Sequence, residues 1–344
     1  MIRLFAAFIA DIFFGDPYWL YHPVRLIGKW ISFLERRLRK YFPPSDKGER
    51  TAGRWFVPLT VLPSFILPFV ILEALTWWRL PLPDILLRFT GPVKTWGEGL
   101  AMALDAFWMY QILAMGCLKK EALKVYGALK ENDLSDARKK LSWLVGRDTQ
   151  DLSKEEVVKA TVETVAENTT DGVASPLFYM ALGLIFLPFG APLGFAYKAV
   201  NTLDSMVGYR NERYKWFGRA SAITDDVANF IPARLCGLSM VVAAFFGYDG
   251  RGAWKVFKRD RLAHLSPNSA QTESACAGAL GIQLGGTHDY FGKPVEKPTL
   301  GDPARKAEKK HIKDSLRLMY RSGWLCLTLA EFMALAGRFA QNLL

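Results

Sequence analysis

Cysteine is scarce: Cys117, Cys236, Cys276 and Cys326 are the only four in 344 residues. They lie far apart and mostly within apolar runs. Neither a zinc pattern nor a disulfide framework can be drawn from them, and buried free thiols are expected. Familiar catalytic signatures are missing too. No Gly-x-x-x-x-Gly-Lys-Ser/Thr loop occurs; residues 286–293 come near, but the spacing is wrong and Pro294 follows. His-Glu-x-x-His and Gly-x-Ser-x-Gly are absent. Any nucleotide would therefore be held by a less familiar arrangement. No basic module interleaved with aromatics appears, so nucleic acid is not the expected partner despite a net charge of +11. The opening MIRLFAAFIADIFFGD mimics a signal peptide, but Asp11 interrupts its apolar core and no small-x-small site precedes Asp16. It is expected to be retained structure.

Long charge-free runs are what the chain has in place of these motifs. Hydrophobic residues make up 51% and charged residues 22%, so the two kinds are segregated. Phe56–Leu72 and Leu177–Tyr197 carry no charge, Gly97–Cys117 carries only Glu98 and Asp105, and Gly323–Ala340 only Glu331 and Arg338. Leu235–Gly247 is charge-free but only thirteen residues long. A spanning helix needs roughly 20 mostly apolar residues, so three or four of these runs could cross a membrane. The class is all-α, a polytopic integral membrane protein with cytoplasmic helical segments. One membrane-embedded domain, 1–344, is expected. Within it we place a soluble helical insertion at about 118–162 and a basic, loop-rich region at about 281–322.

Lys and Arg follow the same segregation. Residues 15–55 hold nine, 118–176 ten and 248–322 fourteen, against three in 79–96. The positive-inside rule puts the rich segments in the cytoplasm, where they also face lipid headgroups.

Four polar clusters interrupt the apolar background. The first is Asp11 to Pro17 with His22 and Arg25. The second, ETVAENTTDGVAS, runs from Glu163 to Ser175. The third runs from Asn201 through Asp204, Arg210 and Arg213 to Asp225, Asp226 and Arg234. The fourth runs from Arg259 through Asn268 to Glu273. Ser153 and Glu156 predict a capping box that starts a helix. On that helix Glu163 and Glu167 are four apart and share a face, with Asn168 and Asp171 at its end. Carboxylates with Asn and Thr are hard oxygen donors that suit magnesium bridging phosphates. Arginines give fixed bidentate contacts to phosphate or carboxylate. Each cluster also has a structural alternative. Glu163 and Glu167 could form a solvated face, Asp225 and Asp226 could be caps, and Arg210 and Arg213 membrane-flanking anchors. His22 could be purely structural, and 266–269 only a turn. Arg234 borders an apolar run and needs a partner. A weaker signal is an internal echo: Thr170-Asp-Gly-Val-Ala-Ser175 resembles Thr224-Asp-Asp-Val-Ala-Asn229, and each precedes a proline.

The ordered blocks DIFFGDPYWLYHPVRLIG, ETVAENTTDGVASPLFY, KAVNTLDSMVGYRNERYKWFGRASAITDDVANFIPARL and RDRLAHLSPNSAQTESACAGALGIQL resemble the adenosylcobinamide-phosphate synthase family of cobalamin biosynthesis. They cover residues 11–283; the stretch 284–322 matches no motif of that family. The resemblance implies an inner-membrane enzyme with its active site facing the cytoplasm. It would join adenosylcobyric acid to aminopropanol phosphate, or aminopropanol, by an amide bond, driven by ATP with Mg2+. An acyl-phosphate is the simplest intermediate. Within the matched motifs, residue chemistry assigns Glu163, Glu167, Asp171, Asp225 and Asp226 to magnesium and phosphate. It assigns Arg25, Arg210, Arg213 and Arg234 to substrate phosphate or carboxylate, and His22 to proton transfer. Asn168, Asn201, Asp204, Asn268 and Glu273 would orient substrate. Membrane lipid is an expected partner; other late corrinoid-pathway enzymes and a homo-oligomer are left open. A related non-enzymatic membrane sensor and a transporter are the competing readings. For all four clusters to face one side, Leu177–Tyr197 would be a re-entrant hairpin and Leu235–Gly247 would not cross fully.

Overall fold

A computed structural model of the chain describes residues 2–17, 19–83, 93–209, 211–290 and 293–341. Arg210 lies outside these described residues. The chain is 73% helical and adopts the expected all-α, polytopic membrane class. Four helical stretches are long and apolar enough to cross a bilayer: Asp46–Thr76, Trp96–Lys130, Lys154–Phe186 and Lys310–Gln341. A fifth crossing exists if Arg219–Ala228 and Phe230–Ala244, bent by 50°, act as one.

Two compact units divide the chain, where the sequence led us to expect one domain. The first comprises residues 1–113, 176–228 and 329–344, and the second 114–175 and 229–328.

In the first unit, α1 (Ile2–Phe14) packs on α4 (Trp96–Ile112), and α3 (Asp46–Thr76) packs on α2 (Pro23–Tyr41), α4 and α9 (Ala191–Val207). Helix α3 tolerates Pro58, Pro63 and Pro68 in its interior. Each would weaken a solvated helix, but prolines are tolerated where neighbouring helices re-satisfy the freed carbonyls. Both charges in the run 97–117 have local reasons. Glu98 closes a capping box with Thr95 at the start of α4. Asp105, fully buried, bonds Arg3 at 2.6 Å and accepts from the backbone N–H of Ala191 at 2.8 Å and of Gly190 at 3.3 Å. One carboxylate thus satisfies the first donors of α9. The unit also contains α8 (Ser175–Phe186) from Pro176 onward, α10 (Arg219–Ala228) and the last turns of α14 (Lys310–Gln341).

The second unit holds α5 (Met115–Lys130), α6 (Leu134–Leu141), α7 (Lys154–Thr169), a π-helical turn (Thr170–Ala174), α11 (Phe230–Ala244), α12 (Gly250–Asp260), α13 (Ser269–Leu280), and most of α14. The insertion drawn at 118–162 has no edge at either end, because both limits fall inside helices α5 and α7. The stretch 281–322 is not a loop throughout. An antiparallel hairpin, β1 (Leu284–Tyr290) and β2 (Lys293–Leu300), occupies its first half, and α14 begins at Lys310. Gly285 and Gly286 have positive φ at the irregularity in the ladder, and Pro294 and Pro298 are tolerated because a two-stranded sheet has only edges.

The break expected at Leu-Pro-Phe-Gly-Ala-Pro192 exists: α8 ends at Phe186 and α9 starts at Ala191. The apolar residues before it do not begin a separate hairpin arm, however. They complete the continuous stretch Lys154–Phe186 that starts in the acidic region. The 50° bend between α10 and α11 lies just before the short run 235–247, which is expected not to cross fully.

Candidate functional site

Helix α7 starts where expected. Ser153 Oγ accepts from the Glu156 N–H at 3.3 Å, and the Glu156 carboxylate accepts from the Ser153 N–H at 2.7 Å. From that start the helix carries Glu163 and Glu167 on the side facing α13 and β1. Glu163 is 5% exposed, pairs with Arg147 and accepts from the Gly285 N–H at 2.7 Å. Glu167, half-buried, accepts from Ser269 Oγ at 2.8 Å.

Helix α13 brings the third carboxylate. All twelve of its residues are buried, including Gln271, Thr272, Glu273 and Ser274. Small residues make this fit: a Cβ on Gly278 would stand 2.4 Å from the Gly252 carbonyl of α12. Burial pushes the Glu273 carboxyl well above its ordinary value, and the charges of Glu167 and Glu163 push it further. Lys297 and Arg147 oppose that shift without cancelling it. Burial thus shifts Glu273 toward its neutral form, in which the carboxyl can donate a hydrogen bond. His264 belongs to the same electrostatic cluster. Burial and Lys297 lower its pKa, against the pull of Glu167 and Glu163. Its Nδ1 accepts from the Ser266 N–H at 3.1 Å, which leaves the proton of the neutral ring on Nε2. A carboxyl raised by burial beside an imidazole lowered by burial is an arrangement suited to handling protons.

A π-turn continues the helix that carries Glu163 and Glu167. Pro176 has no N–H, so the Gly172 carbonyl lacks its helical donor four residues on. It accepts instead from the Ala114 N–H at 3.0 Å, at the gap between α4 and α5. Such π-turns recur at functional sites. The turn carries Asp171 half-buried. Ser175 Oγ donates to Asn229 Oδ1 at 2.5 Å, so the last residues of the two echoed hexapeptides meet.

The candidate residues separate by unit. Glu163, Glu167, Asn168, Asp171, Arg234, Asn268 and Glu273 are in the second. Arg234 has the partner that its position required: Nη1 donates to Asn268 Oδ1 at 3.2 Å, and the guanidinium lies 3.5 Å from the Phe230 ring centroid. Asn168 donates back to the Thr164 carbonyl at 2.9 Å. His22, Arg25, Asn201, Asp204, Arg213, Asp225 and Asp226 are in the first unit. There His22 caps α2, its Nδ1 accepting from the Val24 N–H at 3.3 Å while Nε2 lies 3.4 Å from Asp16. Arg25 is exposed, Asn201 and Asp204 are half-buried on α9, and Arg213 pairs with Glu35 at 3.1 Å. Asp225 and Asp226 sit in the last turn of α10 rather than at a helix start, so neither caps that helix.

Among the described residues, no three His, Cys, Asp or Glu side chains are grouped as a preformed metal cage. Magnesium does not require one, because it is commonly held by one or two carboxylates plus substrate phosphates. Glu163 is already engaged by Arg147 and Gly285, and Glu167 and Asp171 are hard oxygen donors on the same helix and the turn that follows it, of the kind that magnesium takes. Reading the sequence missed Arg147 and Lys297. Arg147 is a lone basic residue in the loop Val145-Gly-Arg-Asp148, and Lys297 lies on the unanticipated hairpin. His264 and Ser269 stood inside the fourth cluster without being singled out.

This is a helical membrane protein with a buried carboxylate cluster beside cationic side chains. Comparison with known proteins makes the class specific: the chain belongs to the CobD/CbiB protein family, whose model matches residues 4–319. It is 46% identical over 328 residues to the cobalamin biosynthesis protein CobD of Geobacter metallireducens, covering 95% of this chain and 94% of the relative. The CobD protein of Listeria monocytogenes is 45% identical, over 93% and 94% of the two chains. The cobalamin biosynthesis protein CbiB of Salmonella typhi is 41% identical, over 96% and 95%. No solved structure matches the chain.

Proposed function

We propose that this chain acts in cobalamin biosynthesis as an amide ligase. It would join the propionate carboxylate of adenosylcobyric acid to the amine of aminopropanol phosphate, or of aminopropanol, with ATP and magnesium, in the cell inner membrane. Family membership supports the pathway. The observation that carries the reaction type is the meeting of Glu163, Glu167 and Glu273, the last with its carboxyl pushed up by burial, with Arg147, Lys297 and His264.

Amide formation makes two demands on the protein. The carboxylate must be activated, which ATP with magnesium supplies when bound. The amine arrives as an ammonium ion and must lose a proton before its nitrogen bonds the acyl carbon. Glu167 is half-buried and held by one neutral donor, Ser269, so it suits the proton acceptor. Glu273, shifted toward its protonated form, would offer a hydrogen bond to a developing negative oxygen, as would His264 Nε2–H. Arg234, set by Asn268 and Phe230, and Lys297 are the cations for phosphate or carboxylate.

Purified protein in detergent, given adenosylcobyric acid, aminopropanol phosphate, ATP and magnesium, should form the amide, detected by mass spectrometry. Glu167→Gln should lower the rate by about 10²-fold or more, the size of a general acid–base contribution. A folded wild-type protein that binds corrinoid yet makes no product would overturn the ligase reading in favour of a sensor or carrier.

A further inference from the structure

The proposed reaction makes no use of a second charged depression in the second unit. Between α5 and α14 lies a surface cavity of about 470 Å³, lined by Lys119, Leu123, Lys313, Leu316, Arg317, Tyr320, Arg321 and Trp324. Four of the eight lining residues are cations and none is acidic. Like charges do not gather for stability. Three of the cations are turned onto aromatic rings, and Arg317 is held by Asp314 and Tyr248. Lys119 lies 5.4 Å from the Tyr320 centroid, Lys313 4.2 Å from Tyr126, and Arg321 5.3 Å from Tyr248. Asp314, paired with Arg317 at 2.9 Å, is the acidic side chain bonded to the group, which leaves an excess of positive charge at the opening.

Its position along the two helices indicates the ligand. Lys119 comes directly after the charge-poor run 97–117, and Trp324 opens the apolar run 323–340. Both helices belong to candidate spans. The cavity therefore sits where hydrocarbon gives way to water, with an indole and a phenol at the boundary and cations beyond them. Leu123, Leu316 and Trp324 supply an apolar floor beside the charges. We infer that this cavity binds the headgroup of an anionic phospholipid, its phosphate among Lys119, Lys313, Arg317 and Arg321 and its acyl chains leaving past Trp324. A basic pocket between spanning helices is the arrangement that suits such headgroups. The inference does not depend on the ligase reading.

The test is native mass spectrometry of the full chain in detergent, titrated with phosphatidylglycerol or phosphatidylcholine. Wild type should retain phosphatidylglycerol at least about tenfold better than phosphatidylcholine, given about 1 kcal/mol for each Lys or Arg near an anionic surface. Lys119→Ala/Lys313→Ala/Arg317→Ala/Arg321→Ala should bring the two lipids to within about twofold. If that variant does not fold, Lys313→Ala/Arg317→Ala, both exposed, should lose part of the preference. Removing a similar charge elsewhere, by Arg36→Ala/Arg37→Ala/Lys40→Ala on α2, should leave it intact. An equal loss in that control would mean only diffuse attraction and would overturn the inference. So would an unchanged preference in the cavity variants. Displacement of phosphatidylglycerol by millimolar ATP or inorganic phosphate would likewise overturn it, because the cavity would then serve a soluble phosphate.

Discussion

Glu273 shows why a buried acid need not be a liability. Burial pushes its carboxyl toward the uncharged form, so a neutral amide should replace it at little cost. Glu273→Gln is expected to unfold within about 1 kcal/mol of wild type when its hydrogen bonds are kept. The pH dependence separates the two proteins. The native state holds a proton that the unfolded chain releases above the ordinary carboxyl value of 4.5. Stability from this group is full below 4.5 and is lost as pH rises through the raised native value. In magnesium-free detergent, the wild type should therefore lose stability relative to Glu273→Gln as pH rises above the ordinary carboxyl value of 4.5. A parallel pair of melting curves would show that Glu273 ionises freely. Glu163 is the contrasting case. Its side chain is 6% exposed and is answered by Arg147 with the same low exposure. Removing one partner strands the other, so Arg147→Met should cost about 3–5 kcal/mol. Arg147→Met/Glu163→Gln should recover most of that loss in thermal melts. The sequence shows Glu163 and Glu167 on one helical face but not Arg147, because a single arginine in a polar loop has no periodicity to mark it.

Among the elements, those built from local rules are legible in the sequence and those built from distant partners are not. The capping box at Ser153 and Glu156 is a local rule, and the helix starts there. The π-turn at Thr170–Ala174 depends on the Ala114 N–H, 58 residues before Gly172, and no local pattern announces it. The hairpin is obscured by its own glycines and prolines, which interrupt the alternation that marks a strand. It is anchored from outside: the Gly301 N–H donates to Asp260 at 2.8 Å. Gly301 has φ +83°, and a Cβ there would stand 2.6 Å from the Ile282 carbonyl. Gly301→Ala should destabilise the protein by more than about 1 kcal/mol, combining left-handed strain with the clash. Proteolysis at 284–300 would report it as faster cleavage. Asp105 has the same role for α9. Asp105→Leu strands Arg3 and the N–H groups of Gly190 and Ala191, and should cost about 3–5 kcal/mol in a thermal melt. Asp105→Asn keeps an acceptor and should cost less.

At the scale of the whole molecule the open quantity is the number of crossings, and charge parity constrains it. Residues 79–96 hold three Lys/Arg, whereas 248–322 hold fourteen, so the positive-inside rule puts Arg79 outside and Lys255 inside. Three candidate crossings lie between them: Trp96–Lys130, Lys154–Phe186, and the bent pair Arg219–Ala228 with Phe230–Ala244. An odd number of them must cross, either all three or one. The apolar window of Lys154–Phe186 is 67% buried inside protein, against 22% for Asp46–Thr76 and 28% for Lys310–Gln341. A helix so enclosed has little surface left for lipid, and the bent pair is a weak span by its own geometry. One crossing is therefore the expected count. Single cysteines decide the matter in intact cells, using an impermeant maleimide and a Cys117→Ser background, since the other three native cysteines are buried. Arg79→Cys should label and Lys255→Cys should not. Glu212→Cys, at an exposed position, separates the two odd counts. Protection of residue 212 means that the acidic helix and the bent pair fold back without crossing, and that the polar stretch 201–213 shares the cytoplasm with ATP. Labelling at 212 means that all three cross. Asn201, Asp204 and Arg213 would then have no part in a reaction that consumes ATP, and the chemistry would rest on Glu163, Glu167 and Glu273 with the residues around them.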